Sequence, residues 1–258
     1  MKITQIRNAT LKLEYGGVRF LIDPMLADKG TFEGFPDTPR SHLRNPLVDL
    51  PMTIEDIINV DVVIVTHTHI DHWDEKAQQS IKKSQLIYTQ HEQDAALLRA
   101  QQFENVHVLD KKTEVFGITI FKTDGQHGSN DAYAIPQAAE LLGDACGLVF
   151  KHADEKTLYI AGDTIWVKPV IVSLHNYHPD VVVINAGFAN INGLGPIIMG
   201  KEDFIRVNKI LPEATLIASH MEAVNHCILS REELREYAEE HGIQDRVLIP
   251  ADGESLRF

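Results

Sequence analysis

Cysteine is scarce in this chain: 258 residues hold two, Cys146 and Cys227, far apart and outside any Cys-x-x-Cys pair. That excludes a disulfide framework or a thiolate zinc knuckle, and each thiol reads as a small buried residue. Long apolar runs are missing too, and none approaches the roughly 20 residues needed to cross a bilayer. The stretch from Met1 to Arg7 lacks the basic region, apolar segment and cleavage site of a secretory leader, so the expected location is cytoplasmic. Basic residues are outnumbered, 24 against 37 acidic, for a formal net charge of −13. This argues against a broad basic surface for nucleic acid. It does not forbid a small anionic substrate, because a bound cation reverses the local sign.

What is present is a globular composition, 44% hydrophobic and 24% charged. The length suits one compact α/β domain over residues 1–258. A small molecule is the expected partner, with no membrane and no nucleic acid; a homo-oligomer is compatible with these numbers.

Along the chain, Leu11–Tyr15 and Val18–Ile22 flank Gly16-Gly17 as a hairpin. Periodicity then disappears from 25 to 51, a stretch rich in proline that reads as a lid or substrate loop. A short helix follows, capped by Thr53 with Asp56 three residues on. Val62-Val63-Ile64-Val65 is continuously apolar, the pattern of a strand buried on both faces. Helical spacing covers 74–83, 91–101, 166–175, 201–210 and 230–240. Further strands are expected at 86–88, 115–122, 148–150, 157–160, 181–184 and 215–218. Gly193-Leu194-Gly195-Pro196 reads as a structural turn rather than a phosphate cradle, since the next helix opens with its own carboxylates, Glu202 and Asp203.

The chemistry concentrates in His67-Thr68-His69-Ile70-Asp71-His72. In an extended chain His67, His69 and Asp71 point to one side, and a turn brings His72 around the same centre. With thirteen histidines in the chain, this pattern arises by chance in about two chains per thousand. Imidazole and carboxylate together suit zinc, manganese or iron. Three further ligand types, His127, Asp163 and His220, each fall just past an apolar strand, as His67 does. That edge of an α/β sheet is where sites gather.

On these residues the chain resembles the metallo-β-lactamase superfamily. His67-x-His69-x-Asp71-His72 is similar to its signature, and His127, Asp163 and His220 to its later ligands. The resemblance implies an αββα four-layer sandwich, two mixed sheets with helices outside. It implies two divalent ions, Zn2+ or Mn2+ with iron as a further fit: one held by His67, His69 and His127, the other by Asp71, His72 and His220, with Asp163 between. Leu21-Ile22-Asp23-Pro24, Gly162-Asp163-Thr164 and the run from Ile198 to Asp203 are similar to the ascorbate-6-phosphate lactonase-like branch. Departures lie at Asn8, where many relatives carry histidine, and at Asn185-Ala186-Gly187, where a proline turn is usual.

The ligand set implies a hydrolase in which a metal-bound hydroxide cleaves an ester, lactone or phosphodiester of a small substrate. Asp71 is a candidate catalytic residue that orients the nucleophile or takes its proton. His226 is a second candidate, donating a proton to the leaving group, against the competing reading of a surface or capping histidine. Arg40, His42 and Arg44 form a basic cluster that closes over an anionic substrate or stays solvated. Asp23 and Asp74 either orient ligand histidines or serve as a turn residue and a helix cap. Alternative functions are an iron-dependent, oxygen-using redox enzyme on the same fold and a small-nucleotide phosphodiesterase.

Overall fold

The computed structural model describes residues 1–258. In chain order it begins with β1 (Lys2–Arg7), β2 (Thr10–Tyr15), β3 (Val18–Ile22), α1 (Ile54–Ile58), β4 (Val62–Val65), α2 (Glu75–Ser80), β5 (Leu86–Thr89), α3 (Glu92–Ala100) and β6 (Val106–Val108). The second half follows as β7 (Lys112–Val115), β8 (Ile118–Asp124), α4 (Asn130–Tyr133), α5 (Pro136–Leu142), β9 (Cys146–Lys151), β10 (Leu158–Ile160), α6 (Lys168–Tyr177) and β11 (Val181–Asn185). It closes with β12 (Asn190–Ile191), β13 (Gly195–Pro196), α7 (Lys201–Ile210), β14 (Thr215–Ser219), α8 (Arg231–Glu240), β15 (Val247–Leu248) and β16 (Ser255–Arg257).

Two seven-stranded sheets result, ordered β16-β1-β2-β3-β4-β5-β6 and β15-β14-β11-β10-β9-β8-β7. Each is half antiparallel and half parallel. The switch comes between β3 and β4 in the first sheet and between β10 and β11 in the second. The sequence explains the split: the hairpin turns Gly16-Gly17 and Phe116-Gly117 have positive φ and favour antiparallel pairs. The apolar runs Val62–Val65 and Val181–Asn185 are buried throughout and need helices on one face and a second sheet on the other.

The core fills the space between the sheets. Leu13, Phe20 and Ile64 from the first meet Ile120, Phe150 and Val183 from the second, all fully buried. Phe150 stands edge-on to Phe20 with ring centroids 5.3 Å apart, and truncating such a ring costs about 3–5 kcal/mol. The outer face of the first sheet packs on Ile57, Ala77, Ala95 and Leu98 from α1–α3, and that of the second on Val170, Leu174, Phe204, Val207 and Leu234 from α6–α8. This is the expected four-layer αββα arrangement.

The expected helices appear close to their predicted bounds, with Thr53 accepting from the Asp56 N–H and Ser230 capping α8. Helices α4 and α5 were not expected. No helix is long and apolar enough to cross a membrane.

Candidate metal centre

Every ligand candidate sits at the carboxyl end of a strand, on one edge of the sandwich. His67 follows β4, His127 follows β8, Asp163 follows β10 and His220 follows β14. Past β4 the chain turns on itself, the N–H groups of His72 and Trp73 both donating to the His69 carbonyl at 2.9 Å, and this swings His72 back towards His67. Gly162 makes the corresponding turn before Asp163: its φ is +71°, and a Cβ there would lie 2.2 Å from the Cys146 carbonyl oxygen.

All seven residues converge. Asp163 Oδ2 lies 3.1 Å from His72 Nε2, 3.5 Å from His220 Nε2, 3.7 Å from His127 Nε2 and 3.9 Å from His67 Nε2. Asp71 Oδ2 lies 3.3 Å from His220 Nε2 and 4.0 Å from His72 Nε2. One ligand atom from each residue falls within 4.8 Å of the others in three groups: His67, His69, His127; His67, His72, Asp163; and Asp71, His72, His220.

The far nitrogen of each ring decides which nitrogen faces the centre. His127 Nδ1 is 2.9 Å from the Ile197 carbonyl, His72 Nδ1 3.0 Å from Asp23 Oδ2, His67 Nδ1 3.3 Å from Thr66 Oγ1 and His220 Nδ1 3.3 Å from Cys227 Sγ. In those four Nε2 is left to point inward. His69 is reversed, with Nε2 at 2.9 Å from the Leu141 carbonyl, so Nδ1 is its inward atom. Such outer partners fix tautomer and orientation of metal-binding histidines. The inward Nε2 of His67 is buried and has no hydrogen-bond partner. Imidazole lone pairs and two carboxylates packed this closely, with one orphaned, suit a divalent cation.

Without an ion, the electrostatics divide the histidines. Burial pushes His67 well below its ordinary range, with His72 and His69 adding to the effect, and burial takes His127 down to about 4; both rings are neutral at pH 7. Burial opposes charge on His72 as well, but Asp163, Asp23 and Asp71 more than offset it and raise its pKa to about 10. Burial would raise Asp71 and Asp163, yet His72 and His220 hold both well below the carboxylate range.

The alternatives for the two outer aspartates resolve differently. Asp23 stands in the orienting position, paired by charge with His72 Nδ1 at 3.0 Å and accepting from the Thr66 N–H and hydroxyl at 2.7 Å. Asp74 is the cap of α2, accepting from the Ala77 N–H at 2.7 Å, and its other oxygen holds the Ala27 N–H.

Over the centre lies a cavity of about 230 Å³. His69, Asp71, His127, Asp163 and His226 line its polar side; Phe35, Pro36, Ile70, Leu142, Ile191 and Ile197 give it apolar walls. The loop 25–51 thus reaches the site, but through Phe35, Pro36 and Thr38 and not through its basic cluster. Arg40 donates to the carbonyls of Asn225 and Cys227, Arg44 donates to those of Gly30 and Thr31 and pairs with Glu33, and His42 is exposed. The anion-closing expectation is corrected accordingly: both guanidiniums are consumed in holding the loop. His226 is no surface residue either. It is buried edge-on to Phe35, with centroids 4.6 Å apart, its Nδ1 unpaired, and burial lowers its pKa to about 4.

Three asparagines complete the site and were not assigned a role from sequence. Asn8 Nδ2 reaches Asp71 and His220, and Asn185 Nδ2 donates to Asp163 Oδ1 at 2.6 Å. Asn225, beside His226, accepts from the Phe35 N–H and Asn45 Nδ2 and donates to Thr38 Oγ1 and the Pro39 carbonyl. Asn8 and Asn185 stand at the two departures from the family pattern, which was the one available signal.

Comparison with known proteins supplies the family. The beta-lactamase superfamily domain matches residues 18–221. The UPF0173 protein YddR of Bacillus subtilis is 48% identical, with 100% of both chains covered, and a UPF0173 metal-dependent hydrolase of Pyrococcus furiosus is 25% identical over the same full span. These relatives carry the UPF0173 name rather than that of the ascorbate-6-phosphate lactonase-like branch. Among solved structures, the isothiocyanate hydrolase from Delia radicum gut bacteria is 61% identical with a TM-score of 0.99, covering 100% of this chain and 99% of that one. The chain belongs to the beta-lactamase superfamily, as a metal-dependent hydrolase of its UPF0173 family.

Proposed function

We propose that this hydrolase acts on a small, neutral electrophile with an apolar substituent, of the isothiocyanate type, at a centre of two divalent ions. The carrying observation is the cavity of about 230 Å³, with apolar walls and, apart from Thr38, polar side chains only where His69, Asp71, His127, Asp163 and His226 line it. A compact R–N=C=S molecule matches that division, its tail against Phe35 and Ile197 and its reactive carbon over the polar side. The 61% identity to an isothiocyanate hydrolase supports the same reading. A phosphodiester suits the site less well, because no lysine or arginine lines the cavity. Small esters and lactones share the electrophilic carbon and the lack of charge, and are the second reading.

His67, His69 and His127 would hold one ion, Asp71, His72 and His220 the other, with Asp163 between them; the three ligand groupings support this partition. Zn2+ and Mn2+ both suit the donor set, and iron fits it too. Bound ions lower the pKa of water and withdraw charge from the substrate. Asp71 orients the attacking water, its carboxylate staying ionised throughout. Water adds to the central carbon, one proton ending on nitrogen and one on sulfur. The resulting thiocarbamic acid breaks its C–N bond as the sulfur proton moves to nitrogen, leaving an amine and carbonyl sulfide. His226, neutral at pH 7, donates a hydrogen bond to the substrate rather than a full proton.

The test is turnover of an aryl isothiocyanate, a lactone, an ester and a phosphodiester, followed as amine or acid release, with Asp163→Asn as control. Amine release that stops with chelator and returns with Zn2+ or Mn2+ is expected. Metal-replete protein that leaves the isothiocyanate intact would sink the reading, and turnover of the lactone or ester alone would transfer it to those substrates.

A further inference from the structure

Asn8 occupies the turn between β1 and β2, is fully buried, and has φ +54°. Its backbone carbonyl accepts from the His220 N–H at 2.9 Å, from Ser219 Oγ at 3.1 Å and from Gln5 Nε2 at 2.8 Å. Its side-chain Nδ2 lies 3.1 Å from the Asp71 carbonyl, 3.3 Å from Asp71 Oδ2 and 3.3 Å from His220 Nε2. One residue thereby touches both the backbone and the side chain of Asp71, which comes from the first sheet, and of His220, which comes from the second.

The contacts are informative because the two ligands have no common covalent frame. Asp71 hangs on the loop after β4 and His220 on the end of β14, in opposite halves of the sandwich. Their ligand atoms must nonetheless hold a separation near 3.3 Å. The Asn8 amide donates to the Asp71 carboxylate on one lone pair, leaving the others free, and its carbonyl pins the His220 backbone. Hydrogen bonds of this kind aim a ligand carboxylate and limit its swing. Asparagine is suited to the place: it tolerates a left-handed backbone, and it brings a donor that stays uncharged at every pH.

We propose that Asn8 is the positioning residue of the half-site formed by Asp71, His72 and His220, setting the distance between ligands drawn from the two sheets. This rests on the two-ion reading above. The half-site of His67, His69 and His127 has no contact with the Asn8 side chain, so the effect is selective.

Asn8→Gly is the clean variant. Glycine adopts φ +54° without strain and keeps the backbone carbonyl that holds His220, Ser219 and Gln5, so only the amide is lost. Metal-free wild type and variant are first matched by circular dichroism, then titrated with Zn2+ or Co2+ against a chromophoric chelator to resolve two binding constants. Wild type is expected to take two ions. The variant is expected to keep the affinity of one and lose roughly 10–100-fold on the other, the usual effect of removing an outer partner. Two unchanged constants in Asn8→Gly, or an equal loss at both, would overturn the assignment while leaving the two-ion reading intact. A single equivalent in wild type would overturn that reading and the assignment with it.

Discussion

His72 Nδ1 lies 3.0 Å from Asp23 Oδ2, and the same carboxylate accepts from both the N–H and the hydroxyl of Thr66. Asp23 therefore ties the end of β4 to the ring that leaves it. Asp23→Ala should strand two Thr66 donors and cost about 2–4 kcal/mol of stability, with roughly 10–100-fold weaker metal binding. Urea unfolding and chelator competition measure the two effects, and unaltered metal affinity would refute the orienting role.

The metal-free protein should be most stable near pH 6.5. The pKa of His72 is raised to about 10 in the folded state, its burial outweighed by Asp163, Asp23 and Asp71, against about 6.5 unfolded. Its contribution is complete below pH 6.5 and is lost as pH rises towards 10. Burial lowers His127 and His226 to about 4, so the unfolded chain takes up protons first and stability falls as pH drops from 6.5 towards 4. Melting temperatures of chelated protein across pH 4–10 test this; a flat alkaline limb would contradict it. Metal uptake at pH 7 should also release a proton from His72, visible as a buffer-dependent heat in calorimetry.

Asn225→Ala should loosen the loop over the site without touching the ions. Four side-chain hydrogen bonds vanish and the Asn45 amide loses its acceptor, a loss of about 2–4 kcal/mol. With Phe35 less firmly held, KM rises while metal content stays at the wild-type level. A change in metal content instead would show that the network supports the ligands.

His226→Ala should reduce kcat/KM about tenfold, about 1.4 kcal/mol of transition-state binding, with unchanged metal content. Asn or Gln in its place should recover part of the loss by restoring a donor. Wild-type kinetics in all three variants would remove His226 from the reaction.

Much of the candidate cluster was legible in the sequence because short spacing and strand ends carry it: His67 to Asp71 alternate, and each later member follows an apolar run. Strands buried on both faces were legible from the apolar runs Val62–Val65 and Val181–Ile184, whereas the αββα layering came from the family resemblance of the histidine and aspartate motif. Helices α4 and α5 were not, since four and seven residues give too few turns for a period to show. Nor was the fate of Arg40 and Arg44. Arg40 is held by carbonyls almost two hundred residues away, at Asn225 and Cys227, and Arg44 by its own loop at Gly30 and Thr31. Composition suggested an anion clamp where tertiary structure built a brace. The apolar cavity was hidden similarly, its walls coming from the separate segments around 35, 70, 142 and 197.

The first sheet supplies His67, His69, Asp71 and His72, the second His127, Asp163 and His220, and His72 and His220 meet across 148 positions of chain. An ion bound between them is a cross-link between the two halves of the molecule, in a chain that has no disulfide. The unfolded polypeptide cannot assemble this set, so the binding free energy of an ion held there would add to that of folding. Metal supply would then govern how long the folded molecule survives as well as how fast it turns over, and a starved cell would lose the protein along with its activity.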